Sequence, residues 1–174
     1  MPTTRIRTTG LDHVHIYVRD MARLLDLFER LFECDTTQPS EVAAIGSFTA
    51  QIRFPAGDSA PYLDVFEPAD IGGVAAKTIE RRGETVGILS FRVEDIDAAA
   101  EHAAACGLRE ISRVGYPGVM RQVQFHPADI PGFMLELVQY EPDADERIAD
   151  IQRRKLTGAP IEGLRVRPTD HEGA

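Results

Sequence analysis

The stretch Leu11-Asp12-His13-Val14-His15-Ile16-Tyr17-Val18-Arg19-Asp20-Met21 decides the fold, because the chain repeats its pattern as Val86-Gly87-Ile88-Leu89-Ser90-Phe91-Arg92-Val93-Glu94-Asp95-Ile96. In the first copy His13, His15 and Tyr17 alternate with Val14, Ile16 and Val18, the period of a strand with one aliphatic face. Asp20 stands where a helix N-cap belongs, and Met21, Leu24, Leu25, Phe28, Leu31 and Phe32 follow at three- and four-residue steps. In the second copy Asp95 precedes Ile96, Ala99, Ala100 and Ala103, and Gly107 ends the helix. A second echo lies further along: Leu63-Asp64-Val65-Phe66 returns as Leu135-Glu136-Leu137-Val138.

Outward from these anchors, the first half reads as further strands near 44–54 and 61–67, with Pro55-Ala56-Gly57-Asp58 between them. It becomes βαβββ if the longer stretch divides in two. The second half reads as strands near 85–93, 109–114, 119–125 and 133–140, turning at Tyr116-Pro117-Gly118 and Ile130-Pro131-Gly132. Residues 68–83 read as a linker. Residues 143–156, with Ile148, Ile151 and Leu156 on a charged background, read as a C-terminal helix, followed by a loose polar tail that contains His171. The predicted fold is α+β: two tandem βαβββ modules, 10–68 and 84–140, forming one cupped mixed sheet with a central cavity, then a C-terminal helix and tail over 141–174.

The composition excludes several classes. A net charge of −9 over 174 residues works against phosphate-backbone contact, so no nucleic-acid partner is expected. There is no long apolar run for a membrane span, and MPTTRIRTTG lacks the apolar core of a signal peptide, so a cytoplasmic setting is expected. Cys34 and Cys106 show no CxxC spacing and are expected to be unlinked apolar fillers.

Matching the two copies gives four equivalent places, occupied by His13, Asp64, Ile88 and Glu136. In a cupped sheet they converge at its centre. An acid inside an apolar strand is costly to bury unless something positive meets it, and Glu136, within Phe133-Met134-Leu135-Glu136-Leu137-Val138, is the hardest to read as a surface residue. Imidazole and carboxylates suit a divalent ion such as zinc, iron, cobalt, nickel or manganese. Blander readings stand beside these: His13 as a hydrogen-bonded core histidine, Asp64 as an exposed strand residue, His126 as a turn residue before Pro127. Alternation places Gln122 and Gln124 on one face of their strand and Arg121 on the other.

The combination of Leu11-Asp12-His13, Phe91-Arg92-Val93-Glu94-Asp95-Ile96, and Phe125-His126-Pro127 through Glu136-Leu137-Val138-Gln139 resembles the vicinal-oxygen-chelate superfamily, and within it the methylmalonyl-CoA epimerase-like branch. The resemblance covers about residues 10 to 140. It implies a metal held by His13, Asp64 and Glu136, a small carbonyl or acyl-thioester substrate, proton transfer beside a metal-polarised carbonyl, and a homodimer. The histidine usual at the start of the second half falls on Ile88; His15, on the same strand face as His13, is an available replacement. His15, Tyr17, Ile88 and His126 are the expected substrate contacts, and Glu136 also carries the expected catalytic role. Loss of the fourth ligand leaves two alternatives open: a metal-free protein that binds a small hydrophobic compound, or a metal-independent proton-transfer enzyme in which burial raises the pKa of Glu136. An extradiol dioxygenase fits less well, since it needs two histidines and a glutamate.

Overall fold

The computed structural model describes residues 5–55, 61–157 and 165–166. Its first half contains β1 (Thr8–Tyr17), α1 (Met21–Leu31), β2 (Asp35–Thr36), β3 (Ser40–Val42), β4 (Ser47–Arg53) and β5 (Tyr62–Pro68). Helix α2 (Val74–Arg82) follows, then β6 (Thr85–Val93), α3 (Ile96–Ala105), β7 (Glu110–Tyr116), β8 (Met120–Phe125), β9 (Met134–Tyr140), α4 (Ala144–Thr157) and β10 (Arg165–Val166). The strands form one mixed sheet in the order β10-β3-β4-β5-β1-β6-β9-β8-β7, with β2 paired to β4.

That order is nearly symmetric about the β1–β6 junction. Each leading strand lies parallel to the last strand of its own module, β1 with β5 and β6 with β9. The two leading strands meet antiparallel, with His13 opposite Ser90 and His15 opposite Ile88. The repeat in the sequence is therefore a local twofold in the sheet.

One face of the sheet is closed by the helices. Met21 and Leu25 of α1 pack with Val18, Ala50, Ile52 and Val65; Ile96, Ala99, Ala100 and Ala103 of α3 pack with Val123, Phe125 and Leu137. Both helices start at their expected caps: the Asp20 side chain accepts from Arg23 N, and that of Asp95 from Asp97 N and Ala98 N. The opposite, concave face receives His13, His15 and Tyr17.

Several expectations are corrected. The stretch 44–54 does not divide into two strands. A single 3₁₀ turn at Ala43–Ile45 ends at Gly46, whose φ of 58° is left-handed, so the extra strand is Ser40–Val42 on the near side of the turn. The region 68–83 is more than a linker: Ala75 and Ile79 of α2 bury against Tyr17 and Phe66, which covers one end of the concave face. Within the tail, Val166 and Arg165 pair with Ser40 and Glu41, while His171 lies outside the described residues. Both cysteines are free; Cys34 packs beside α1, but Cys106 is exposed at the end of α3 and is no core filler.

Candidate metal centre

Strand alternation alone would point Asp12 away from His13. A bulge in β1 breaks the register between Leu11 and His13 and admits one extra residue, so both side chains meet. Asp12 Oδ2 lies 2.7 Å from His13 Nδ1 and accepts from the Tyr140 hydroxyl at 2.9 Å. Arg92 donates to Asp12 Oδ1 through Nε at 2.9 Å and Nη2 at 2.7 Å, its guanidinium lying 4.5 Å from the centre of the Tyr140 ring. This brace holds the His13 ring by one nitrogen and turns the other inward.

His13 Nε2 faces inward onto two acceptors: His15 Nε2 at 2.8 Å and Glu136 Oε1 at 3.2 Å. Glu136 also receives Gln122 Nε2 on Oε1 at 3.1 Å and Gln124 Nε2 on Oε2 at 2.8 Å, as β8 alternation predicts. Arg121 points the other way, to Asp97 and Gln139. The rings form a column in which Tyr62 stacks on His13, His13 on His15 and His15 on Phe66, at 4.7 to 4.9 Å between centres. Glu136 and His13 are almost wholly buried, at 0% and 1% exposure.

The electrostatics follow from this packing. Burial alone would lower the pKa of His13, but hydrogen bonds to Asp12 and Glu136 outweigh it and raise it to about 9. Burial lowers His15 to about 3, aided by the neighbouring His13 charge and opposed by Glu136. Burial would raise Glu136, yet the hydrogen bond from His13, the charges of both histidines and the bond from Gln124 bring it below the usual glutamate value. The expectation of a raised Glu136 pKa is therefore reversed. Asp12 is likewise held low: burial is overcome by His13 and Arg92.

These donors fit a divalent cation. Ligand atoms of His13, His15 and Glu136 all lie within 4.8 Å of one another. Two imidazole nitrogens 2.8 Å apart cannot both present lone pairs unless something positive lies between them, a proton or a metal ion. His15 Nδ1 is buried with no partner, which is the tautomer position left over when Nε2 ligates.

The expected residues do not all gather. His13 and Glu136 are joined by His15, while Asp64 lies outside that group of donors. Asp64 is beside His15 in the β1–β5 register and shares its face. Ile88 is buried opposite His15, whose imidazole joins the donor cluster from across the strand pair. Tyr17 is buried beneath α2, and burial raises its hydroxyl pKa. His126 stands apart in the turn after β8, bonded to Ala128 N and Arg109. Asp12, Arg92 and Tyr140 went unrecognised in the sequence. The adjacency of Asp12 to His13 and the charge of Arg92 inside an apolar strand were the available signals. A cavity of about 460 Å³ lies elsewhere, between Arg5–Arg7 and α3, and contains none of these donors.

The doubled module and the His-His-Glu cluster define a class of protein. The sequence profile of the Glyoxalase/Bleomycin resistance protein/Dioxygenase superfamily matches residues 12–125, and the chain belongs to that family. Among solved structures it is similar to the methylmalonyl-CoA epimerase of Mycobacterium tuberculosis, with 26% identity and a TM-score of 0.70 over 84% of this chain and 97% of that one. A variant methylmalonyl-CoA epimerase of Streptomyces coelicolor, in complex with 2-nitronate-propionyl-CoA, is 23% identical with a TM-score of 0.68, over 76% and 98% of the two chains. A hypothetical protein of Bacillus halodurans shares the fold at 19% identity and a TM-score of 0.68, over 78% and 98%. No curated protein sequence matches this chain. Among the described residues no helix is long and apolar enough to cross a membrane.

Proposed function

We propose that the protein is a divalent-metal-dependent isomerase or lyase that moves a proton next to the carbonyl of a small acyl-thioester or related substrate. His13, His15 and Glu136 would hold the ion, with zinc, iron, cobalt, nickel or manganese all compatible with two imidazoles and a carboxylate. The carrying observation is the meeting of His13 Nε2, His15 Nε2 and Glu136 Oε1 in a buried cluster. When bound, the ion polarises the substrate carbonyl and stabilises negative charge developing on its oxygen. Asp12 and Arg92 fix the His13 ring, Gln122 and Gln124 fix Glu136, and α2 closes one end of the cup against water.

The acyl-thioester class is supported by the likeness to the M. tuberculosis epimerase. A homodimer is supported by the family and by Leu27, Leu31 and Phe32, left exposed on and beside α1. A cytoplasmic setting fits the two unlinked cysteines. A second reading, oxygen activation, gains from one observation: two histidines and one carboxylate are the ligand set of non-haem iron(II) oxygenases, and His15 supplies the second histidine. Oxygen uptake with a catechol would favour it.

The test is deuterium incorporation at the α-carbon of methylmalonyl-CoA in deuterium oxide, with the protein loaded with each divalent cation in turn or stripped by a chelator. Incorporation is expected in a loaded form and absent from the stripped one. Its absence from every loaded form contradicts the proposal.

A further inference from the structure

Among the described residues, the buried side-chain polar atoms without a hydrogen-bond partner are Ser40 Oγ, His15 Nδ1 and Ser90 Oγ. His15 Nδ1 is the ring position left over when Nε2 ligates. Ser40 lies near the edge of the sheet, on β3, paired with Thr49 and with Val166 of β10. Ser90 lies at the centre. It is opposite His13 of β1 on one side and Glu136 of β9 on the other, so it stands on the concave face between the two side chains whose Nε2 and Oε1 meet at 3.2 Å.

The Ser90 side chain is wholly buried. Folding strips such a hydroxyl of the hydrogen bonds that water gives it in the unfolded chain, and an alanine of nearly the same shape would avoid that loss. The neighbours explain why it has no partner. Both nitrogens of His13 are engaged, Nδ1 by Asp12 and Nε2 by His15 and Glu136. Glu136 already receives Gln122 and Gln124. Along β6 on this face, Ile88 is apolar and Arg92 is held by Asp12, so Ser90 is the strand's one polar group left beside the cluster. Three protein ligands are the pattern of a site whose remaining position is taken by water, and of the donors grouped here none comes from β6.

Resting on the metal-dependent function proposed above, we infer that Ser90 is a positioning residue whose Oγ accepts a hydrogen bond from the water that completes the ion's coordination. The hydroxyl gains its partner only when the centre is loaded. Its energetic sign therefore reverses between the two states: unpaired and destabilising in the metal-free protein, it orients the water and adds to affinity in the loaded one.

The experiment takes the cation that wild type binds most tightly among zinc, iron, cobalt, nickel and manganese, and titrates it into metal-free wild type, Ser90→Ala and Ser40→Ala. Each metal-free protein is also melted by circular dichroism. Ser40→Ala is the matched control, since it removes a second buried and unpaired serine hydroxyl away from the donors. Affinity is expected to fall about 10–100-fold in Ser90→Ala and to keep the wild-type value in Ser40→Ala, while metal-free Ser90→Ala melts no lower than wild type. Unchanged affinity in Ser90→Ala overturns the inference. So does a lower melting temperature of metal-free Ser90→Ala, which makes the hydroxyl part of the unloaded fold. An equal loss of affinity in Ser40→Ala overturns it as well, by making the effect one of general packing. These outcomes leave the proposed function standing, because wild type still binds the ion. A wild type that binds none of the cations removes the proposed function itself, and the inference with it.

Discussion

On β1 of the first module the concave face holds His13 and His15, whereas the matching places on β6 of the second hold Ile88 and Ser90. The second module contributes no imidazole to the centre; it contributes Glu136 and the two amides that hold it. The local twofold explains how the centre survives this imbalance. Antiparallel pairing sets each leading strand's first concave residue against the other's second, so His15 stands opposite Ile88 and its ring reaches the donor cluster. The second imidazole of the cluster thus comes from the first module, from the position directly opposite Ile88.

The comparison breaks most visibly at Glu136, the one donor from the second module. Glu136→Gln keeps the shape and removes the charge, and metal affinity is expected to fall by more than about 100-fold, beyond what loss of an outer hydrogen-bond partner costs. Titration of metal into both proteins measures it, and an unchanged affinity would mean that the first module holds the ion alone.

The histidine pair sharpens the comparison through pH. His13 is raised to about 9 and His15 lowered to about 3, so in the metal-free protein the proton resides on His13. His13 gains protonation on folding, so its stabilising contribution is full below its ordinary value of 6.5 and is lost as pH rises through about 9. Metal must displace that proton, so affinity is expected to rise about tenfold per pH unit from neutrality up to about pH 9, then level off. Thermal melts should show the metal-free protein weakening from pH 7 to 10.

The smallest expected effect concerns the last of the three register shifts of the junction, where Gly87 gives way to the Tyr17 ring. A Cβ at Gly87 would collide with that ring, and Gly87→Ala is expected to cost about 1–3 kcal/mol in denaturant melts. An unchanged stability would show that Tyr17 and α2 can shift without cost.

Much of this is legible in the sequence. The repeat gave the paired modules, the alternation of His13, His15 and Tyr17 with Val14, Ile16 and Val18 gave the two faces of β1, and the same period separated Gln122 and Gln124 from Arg121. What stayed hidden depended on departures from regular periods. Asp12 reaches His13 only through a bulge, which alternation cannot anticipate. Helix α2 buries only Ala75 and Ile79, too sparse a stripe to stand out between Gly72-Gly73 and Arg81-Arg82-Gly83. The direction of the Glu136 pKa turns on His13, His15 and Gln124, partners from two other strands that no local reading brings together.

The central claim is that His15 stands in for the residue missing at position 88. Metal per chain, measured by mass spectrometry on wild type, His15→Ala, and His15→Ala combined with Ile88→His, tests it directly. The account predicts about one ion in wild type, loss in His15→Ala, and recovery in the double variant. Full metal in His15→Ala, or no recovery in a folded double variant, would contradict it.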